Sequence, residues 1–482
     1  MSLSELSTEL DGLIIQQLPQ YALHALTLTN KYYRGLAEPY LYRNIKVHDT
    51  SKYSMARLAL NLVVRKELAR YIRSFELVYT RENRVRARAS DIVRMVKANV
   101  KANHLETEIL DDRLENVREN FLTRSPEVKK IIQDLAGPLC GPQFTLKRFT
   151  GQFLGFLLTI ILLLAPNLEH LQLEDIDDEI PHEAFWGRWQ GSTQRASGKS
   201  YPFHKLKSLE LSIGAEASIP ILPPTESLKI RGQGDSRLCW LPHNGPRAIG
   251  GMCSLELQDV QISQDDLETM ISLPQMRSMK HLKMTRIGHP TLETYDYRRL
   301  IQLLSTSLLT LKTLEWIGEN GVYLHGTRSP FGSFRGLMQL EELTLDYQYL
   351  TPWTAVAISL HIIYPEHIIH PEAFFPASLK VLRIKNIPSH VLMSLQRKSA
   401  NYILGTAKYL GLSRFDLYTD LPWSSSIGIH WMEAIRKFLA KLVSSLDDIG
   451  TSMRIYNHID QDDSELLCEK GYVLTCSRRT CM

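Results

Sequence analysis

Three histidines and a glutamate lie close together in the chain and suit metal chemistry by type. They are His361, His367 and His370, with Glu366 directly before the second histidine. A zinc-protease helix places its two histidines four residues apart, as H-E-x-x-H, so that both ligands lie on one helix face. Here they are three residues apart, and a proline on each side disfavours a continuous helix. We therefore expect no metal site in this segment.

Motifs for the other common catalytic chemistries are absent from the sequence. There is no phosphate-binding G-x-x-x-x-G-K-[ST] or G-x-G-x-x-G pattern, and no G-x-S-x-G nucleophile turn. The acidic run from Glu174 to Glu179 could attract a cation, but a solvated loop after a strand explains it more simply. We expect a non-catalytic protein that needs no cofactor.

Charge and composition argue against a dedicated nucleic-acid-binding protein. The 482 residues include 56 lysines and arginines and 52 acidic residues, so the formal net charge is only +4. The most basic stretch, from Arg81 to Lys101, has no interleaved aromatic residues on which bases could stack. A solvated helix face is the better interpretation, and RNA binding through this stretch is the less favoured alternative.

Three features predict a soluble protein of the cytoplasm or nucleus. The six cysteines include no C-x-x-C pair and are too few for a disulfide framework. The first residues include acids and no basic segment, unlike a secretory signal. The apolar run from Phe153 to Ala165 is 13 residues long, whereas a membrane span needs about 20. We expect this run to form a buried helix.

A recurring leucine pattern, L-x-x-L-x-L, organises the middle of the chain. Its copies, with two shorter versions, follow one another at steps of 19 to 39 residues, and leucine-rich repeats run about 20–29 residues. The full copies are Leu168/Leu171/Leu173, Leu206/Leu209/Leu211, Met279/Leu282/Met284, Leu311/Leu314/Trp316, Leu340/Leu343/Leu345 and Leu379/Leu382/Ile384. One such repeat cannot bury its leucines alone, but stacked neighbours can.

Helical patterns between these copies predict an α/β fold. One helix is expected from Ser263, as its cap, to Ile271, and another from Tyr297 to Leu304. Strands connected in this way should be parallel. The predicted organisation is a small three-helix domain at 1–48, a linker helix at 49–69, an irregular repeat solenoid with a parallel sheet at 70–428 and a cap at 429–482. Residues 187–200 and 231–251 are predicted loops.

The first 48 residues predict three short helices with a surface-exposed apolar stripe. The stripe is Leu10, Leu13, Ile14 and Leu18, which follow helical spacing. Pro19 ends the first helix, and the third is expected to stop at Glu38-Pro39. A core this small leaves much of the stripe near the surface, where it either binds a partner or packs on the following domain.

The segment from Leu6 to Ile45 resembles an F-box, in the form common among fungal proteins. Leu6 and Glu9 match the L-P-x-E start of that family, with Ser7 where proline is usual, and hydrophobic matches follow in order through all three helices. The later repeats resemble the irregular leucine-rich repeats of such proteins. The order of box and repeats is similar to that of substrate adaptors in SCF-type ubiquitin ligases.

The resemblance implies a partner for each part of the chain. In that family the F-box docks on a Skp-family adaptor, which joins it to a cullin, and the repeats hold a target protein near a ubiquitin-charged enzyme. The residues implied to bind the Skp-family adaptor are Leu6, Glu9, Leu10, Ile14, Leu18, Leu26, Leu28, Tyr33 and Leu36. The alternative function is a protein-interaction scaffold that acts outside a ligase.

The candidate target contacts come from the repeat strands themselves. In each strand the residue between the last two apolar positions points away from the core. These residues are Gln172, Glu210, Lys283, Glu315, Thr344 and Arg383. Because the row has no dominant charge, we expect a protein target rather than a polyanion.

Overall fold

The computed structural model describes residues 8–48, 55, 58–59, 61–62, 65–78, 158, 161–162, 164–176, 205–214, 216–219, 225–240, 251–287, 295–318, 332–346, 374–388, 399–420, 429–458, 464–469 and 472–473. These residues form an α/β structure with a parallel sheet. The chain divides into two compact units, Met1–Ser236 with Leu241–Gly250 and Arg237–Trp240 with Gly251–Met482.

Three helices open the first unit: α1 (Thr8–Gln16), α2 (Gln20–Thr29) and α3 (Lys31–Leu41). The side chain of Asn30 accepts a hydrogen bond from the backbone N–H of Tyr33 at 2.9 Å and so caps α3. The prediction that Glu38-Pro39 ends this helix is wrong. A proline in the last turn removes only one backbone hydrogen bond, and the N–H of Tyr42 still donates to the Glu38 carbonyl at 3.0 Å.

The next strands follow these helices. They are β1 (Asn44–His48), β2 (Ser74–Val78), β3 (His170–Ile176), β4 (Ser208–Ile213), β5 (Glu216–Ile219) and β6 (Ser227–Trp240), with a one-turn helix α4 (Lys66–Ala69) before β2. The last of them, β6, begins in the first unit, while its residues from Arg237 belong to the second. The order is β1-β2-β3-β4-β6, and β1 to β4 and the start of β6 pair in parallel. β5 pairs with β6.

The predicted loop at 231–251 is wrong for Arg231–Trp240, which continue strand β6. Glycines and charged residues interrupt the alternation of apolar side chains that would indicate a strand here. β6 also pairs with β5, and this pairing could not be predicted from the residues of β6 alone.

The second unit contains the remaining elements. They are β7 (Ser254–Ile262), α5 (Gln264–Ile271), a 3₁₀ turn (Pro274–Ser278), β8 (His281–Thr285), α6 (Tyr297–Ser307), β9 (Thr313–Ile317), a 3₁₀ turn (Phe334–Gly336), β10 (Glu342–Asp346), β11 (Val381–Pro388), α7 (Ser399–Leu410), β12 (Arg414–Asp420), α8 (Ile429–Asp447), β13 (Ser452–His458), β14 (Ser464–Glu469) and β15 (Tyr472–Val473). β7 to β13 are parallel, and β13, β14 and β15 pair antiparallel.

The leucine pattern marks equivalent positions of neighbouring strands. Leu282, Leu314 and Leu343 lie directly opposite one another on β8, β9 and β10, and all three are buried. In the first unit Phe75, Leu171 and Leu209 form the corresponding buried row. Burying one such side chain stabilises the fold by about 1.5–3 kcal/mol. The apolar positions thus set the register of the parallel sheet.

Polar caps and aromatic contacts fix the helices of the second unit. Ser263 accepts a hydrogen bond from the N–H of Asp266 at 3.1 Å, which confirms the predicted cap of α5. Asp296 caps α6 in the same way, at 3.1 Å from the N–H of Arg299. At the start of α6, the Tyr297 ring packs edge-on against Trp316 of β9 with ring centroids 6.1 Å apart.

The described part of the apolar run at 153–165 agrees with a buried helix. Leu158, Ile161 and Leu162 are helical and buried. Among the described helices of the chain, none has both the length and the apolar composition needed to cross a membrane.

Candidate functional site

The first three helices enclose a small core and leave one apolar face outside it. Ile15, Leu23 and Ala37 form the buried centre. On α1 the residues Leu10, Leu13 and Ile14 point the other way, with 48%, 61% and 47% of their surface exposed. Helical geometry explains this division, since positions 10, 13 and 14 share one side of α1 while 11 and 15 share another. We call Leu10, Leu13 and Ile14 the outer face of α1.

A polar contact inside the helical domain holds α1 against α3. Asp11 is buried, and its Oδ2 accepts a hydrogen bond from the Tyr32 hydroxyl at 2.8 Å. A hydrogen bond with Thr8 lowers the pKa of Tyr32, but the bond to Asp11, burial and nearby negative charge outweigh it, so that the pKa is raised. The Tyr32 ring also packs edge-on against Tyr33 at 5.1 Å. These contacts fix which side of α1 faces outward.

Exposed apolar side chains are concentrated in this domain. Eleven large hydrophobic residues are exposed in the described part of the chain, and six of them lie between residues 10 and 32. The six are Leu10, Leu13, Ile14, Tyr21, Leu28 and Tyr32. Six of the eleven on three short helices make this domain the leading candidate for an interaction surface among the described residues.

The residues expected to bind a Skp-family adaptor separate into two groups. Glu9, Leu10, Ile14 and Leu28 are exposed, whereas Leu6 lies outside the described residues. The others are partly buried and pack against the core of the helical domain: Leu18, Leu26, Tyr33 and Leu36. Leu18 belonged to the predicted stripe, but the turn after Gln16 directs it toward the core instead.

The candidate set for adaptor binding omitted three of these six exposed residues, namely Leu13, Tyr21 and Tyr32. Leu13 belongs to the predicted stripe of α1 and is its most exposed member. Tyr21 and Leu28 lie seven residues apart, so they share one side of α2. That spacing was available from the sequence, whereas the position of Tyr32 beside α1 depends on the Asp11 contact between helices.

In the described residues, two connections join the helical domain to the rest of the first unit. α3 leads directly into β1, which pairs with β2. Beside this connection the Arg65 guanidinium binds the Glu38 carboxylate with two hydrogen bonds of 2.7 Å, and this contact raises the pKa of Arg65 above its usual value. A bidentate pair of this kind restricts the orientation of α3.

The second candidate surface, the row of predicted target contacts, is largely paired within its own sheet. In the first unit Glu210 lies 3.2 Å from Arg231 and 3.9 Å from Lys229. Gln172 donates to Glu174 at 3.2 Å. Both predicted contacts are half-buried. A target would therefore have to compete with these neighbours.

The same pairing continues across the second unit. Lys283 contacts Glu256 at 3.2 Å, and Glu315 contacts Lys385 at 3.2 Å. Arg383 lies 2.9 Å from Glu342 and 3.4 Å from Asp416, which is completely buried. The charged members of the row therefore each lie beside a side chain of opposite charge.

Thr344 differs from the other members of this row, because it is only 4% exposed. The strand pattern placed it on the side of β10 that faces away from the core, but its burial leaves little surface for a target. Its neighbour Asp346 is also buried and accepts hydrogen bonds from the Gly318 N–H at 2.6 Å and from Asn386 Nδ2 at 2.7 Å. This part of β10 is therefore structural rather than a contact surface.

Other candidate sites lie outside the described residues. They are His361, His367 and His370, the basic stretch from Arg81 to Lys101, and most of the acidic run at 174–179. Within the described ranges, no group of three or more histidine, cysteine, aspartate or glutamate side chains could hold a metal ion.

Comparison with known proteins adds no family to these observations. No protein-family profile matches the chain, and no curated protein matches it.

Proposed function

We propose that this chain is a substrate-recognition adaptor of an SCF-type ubiquitin ligase. The helical domain would dock on a Skp-family adaptor, and through it on a cullin, while the repeat strands would hold a target protein. The chain itself would supply binding, and the ubiquitin transfer would take place elsewhere in the complex. One observation carries the proposal: the outer face of α1 is apolar and exposed, although the same helix has a second face in the core.

The energetic argument concerns what a partner would gain from this face. Burying an exposed leucine or isoleucine is worth about 1.5–3 kcal/mol before the costs of association. Leu10, Leu13 and Ile14 present their side chains on one turn of helix, which suits a groove that binds apolar residues at helical spacing. The Tyr32–Asp11 bond holds that turn in place before the partner arrives, so less ordering is required on binding.

Co-expression with a Skp-family adaptor tests the proposal. We expect the full chain to copurify with the adaptor in a stoichiometric complex, and Leu10→Asp or Ile14→Asp to abolish it. Both side chains are about half exposed in the free protein, so a charge there should leave the fold intact. Circular dichroism of each variant checks this point.

Leu309→Asp is the matched control, because Leu309 is similarly exposed but belongs to the second unit. This variant should still bind the adaptor. The ligase proposal is rejected if the unmodified chain forms no complex, or if Leu309→Asp weakens the complex as much as Leu10→Asp does. The first of these results would favour a scaffold that acts outside a ligase.

A further inference from the structure

A second apolar row lies in the second unit, at the end of the sheet where its parallel strands begin. We refer to this end of the strands as the edge. Leu309 and Met338 occupy equivalent places in the turns before β9 and β10, five residues ahead of the paired residues Leu314 and Leu343. They are 62% and 79% exposed. Ala377 occupies the same place before β11 and is exposed. We call this line of residues the strand-start row.

Tyr409 extends the row toward β12. It lies in the last turn of α7, which leads into that strand, and it is 61% exposed. In each of these turns the next leucine in the sequence is buried. The exposed positions therefore do not result from poor packing of the core. Neighbouring strands are about 4.8 Å apart, so the row from Leu309 to Tyr409 spans roughly 15 Å.

Basic side chains border this row. The residues at this edge between β8 and β12 that are exposed and positively charged are Arg277, Lys280, Lys312, Arg335, Lys380 and Lys408. Among the described residues of the same turns, Glu341 is the one acidic side chain, and the next residue, Glu342, begins β10. Glu341 lies 3.6 Å from Lys312 and 3.2 Å from Lys380, and Lys380 is the main cause of its lowered pKa. At this edge, positively charged side chains therefore outnumber negatively charged ones among the described residues.

We propose that the strand-start row binds an acidic amphipathic helical segment of a partner protein. Leucines spaced one helical turn apart on such a segment would cover Leu309, Met338 and Tyr409. Acidic residues beside that stripe would lie against the lysines and arginines of the edge. A helix of about ten residues is 15 Å long and matches the length of the row.

Glu341 favours a protein partner over an anionic membrane. Its carboxylate lies between two lysines at the centre of the edge, where a continuous anionic surface would meet it directly. A peptide can place its acidic residues against Lys280, Lys312 or Lys380 and leave Glu341 opposite a neutral side chain. The proposal does not depend on the Skp-family adaptor, because it concerns only the second unit.

The probe is a fluorescent amphipathic peptide of about 14 residues, long enough to cover the row, with leucines at helical spacing and glutamates on both sides. Its control has the same leucines and lysines in place of the glutamates. In anisotropy titrations with the full chain, we expect saturable binding of the acidic peptide that weakens with salt. The basic peptide should bind at least about tenfold more weakly.

Variants of the edge locate the binding. Leu309→Ser/Met338→Ser and Lys312→Glu/Lys380→Glu should each raise the Kd of the acidic peptide at least about tenfold. Lys437→Glu/Lys441→Glu, a matched charge reversal on exposed lysines of α8, should leave the Kd unchanged. Leu10→Asp, which should abolish adaptor binding, should also leave the Kd of the acidic peptide unchanged.

Three results would overturn the proposal. They are no saturable binding of the acidic peptide, equal binding of both peptides, and binding that the edge variants do not weaken. Cosedimentation with phosphatidylserine–phosphatidylcholine vesicles tests the other source of negative charge. Binding to vesicles that Lys312→Glu/Lys380→Glu abolishes, without any peptide binding, would instead assign the edge to a membrane surface.

Discussion

The Tyr32 hydroxyl donates a hydrogen bond to Oδ2 of Asp11 at 2.8 Å, and this bond joins α3 to α1. Asp11 is buried although it directly follows the exposed Leu10. A polar residue in the small core therefore determines the rotation of α1 about its axis, and with it the direction of Leu10, Leu13 and Ile14. Packing of Ile15 alone would restrict that rotation less, because apolar contacts have little directionality.

Tyr32→Phe should loosen α1 without unfolding the chain. The variant keeps the ring but leaves the buried Asp11 carboxylate without this donor, which is unfavourable. We expect amide hydrogen exchange in α1 to become severalfold faster and binding to a Skp-family adaptor to weaken. Tyr21→Phe, at a fully outward position on α2, should change neither. Unchanged exchange in Tyr32→Phe would show that the bond does not orient the helix.

Local sequence patterns were sufficient for the repeated parts of this structure. The apolar positions of the L-x-x-L-x-L copies became equivalent, buried positions of parallel strands, and Ser263 caps α5 as expected. Each of these features depends on residues within one turn or one strand. The pattern of burial that they specify leaves little freedom in register.

Features that depend on contacts between distant segments were not predictable in the same way. Asp11 looked like one polar residue of an amphipathic helix, and its burial depends on Tyr32, which lies 21 residues later in the chain. Thr344 followed the outward positions of its row, yet it is buried. Partial burial of Leu18 depends on how three helices assemble. Sequence spacing defines the faces of an element but not what covers them.

Tyr418 should titrate well above an ordinary tyrosine. Burial is the main cause that raises its pKa to about 12, and the negative charge of Asp416 adds to it. Because the folded state favours the neutral phenol, this stabilisation is present below the usual pKa of about 10. It is lost as the pH rises through 12.

The difference in absorbance at 295 nm between the unmodified chain and Tyr418→Phe isolates this titration from that of the other tyrosines. We expect its midpoint near 12. A midpoint of about 10, the ordinary value for tyrosine, would contradict the burial of Tyr418.

Asp416→Ala should destabilise the chain much more than Lys283→Ala, although Asp416 lies directly opposite Arg383 of the row to which Lys283 belongs. Asp416 is completely buried and contacts Arg414 at 2.8 Å and Arg383 at 3.4 Å. Its loss leaves the partly buried Arg414 without this carboxylate and Arg383 with Glu342 alone, at a cost of about 1–3 kcal/mol. The Lys283 side chain is 43% exposed, and such surface pairs contribute about 0–1 kcal/mol. Urea unfolding measures both, and equal effects would contradict the assigned difference in burial.

Asp346→Ala should destabilise the region where β9, β10 and β11 end. The buried carboxylate accepts hydrogen bonds from the Gly318 N–H and the Asn386 amide, and each donor left unpaired costs about 1–3 kcal/mol. Asn386→Ala removes only one of these bonds and should have the smaller effect. Urea midpoints test this order. A larger effect of Asn386→Ala would indicate that its left-handed backbone, with a φ of 53°, matters more than its side chain.

Gly336→Ala should destabilise the second unit by steric overlap. A Cβ at this position would lie 2.8 Å from both Cβ and Oγ of Ser305 on α6. Ser305 cannot easily move, because its hydroxyl donates to the Ile301 carbonyl at 2.8 Å. We expect a loss of about 1–3 kcal/mol, as for other overpacked sites.

Two further variants separate this overlap from the general effect of replacing glycine by alanine. Gly405 lies inside α7, and a Cβ at this position would have no neighbouring atom within 4 Å. Gly405→Ala should therefore stabilise the chain by about 0.5–1 kcal/mol. Ser305→Gly removes the opposing Cβ, and a double-mutant cycle with Gly336→Ala should show strong favourable coupling. If the cycle is additive, Ser305 is not what excludes a side chain at Gly336, and the close approach of the 3₁₀ turn to α6 must be attributed to another contact.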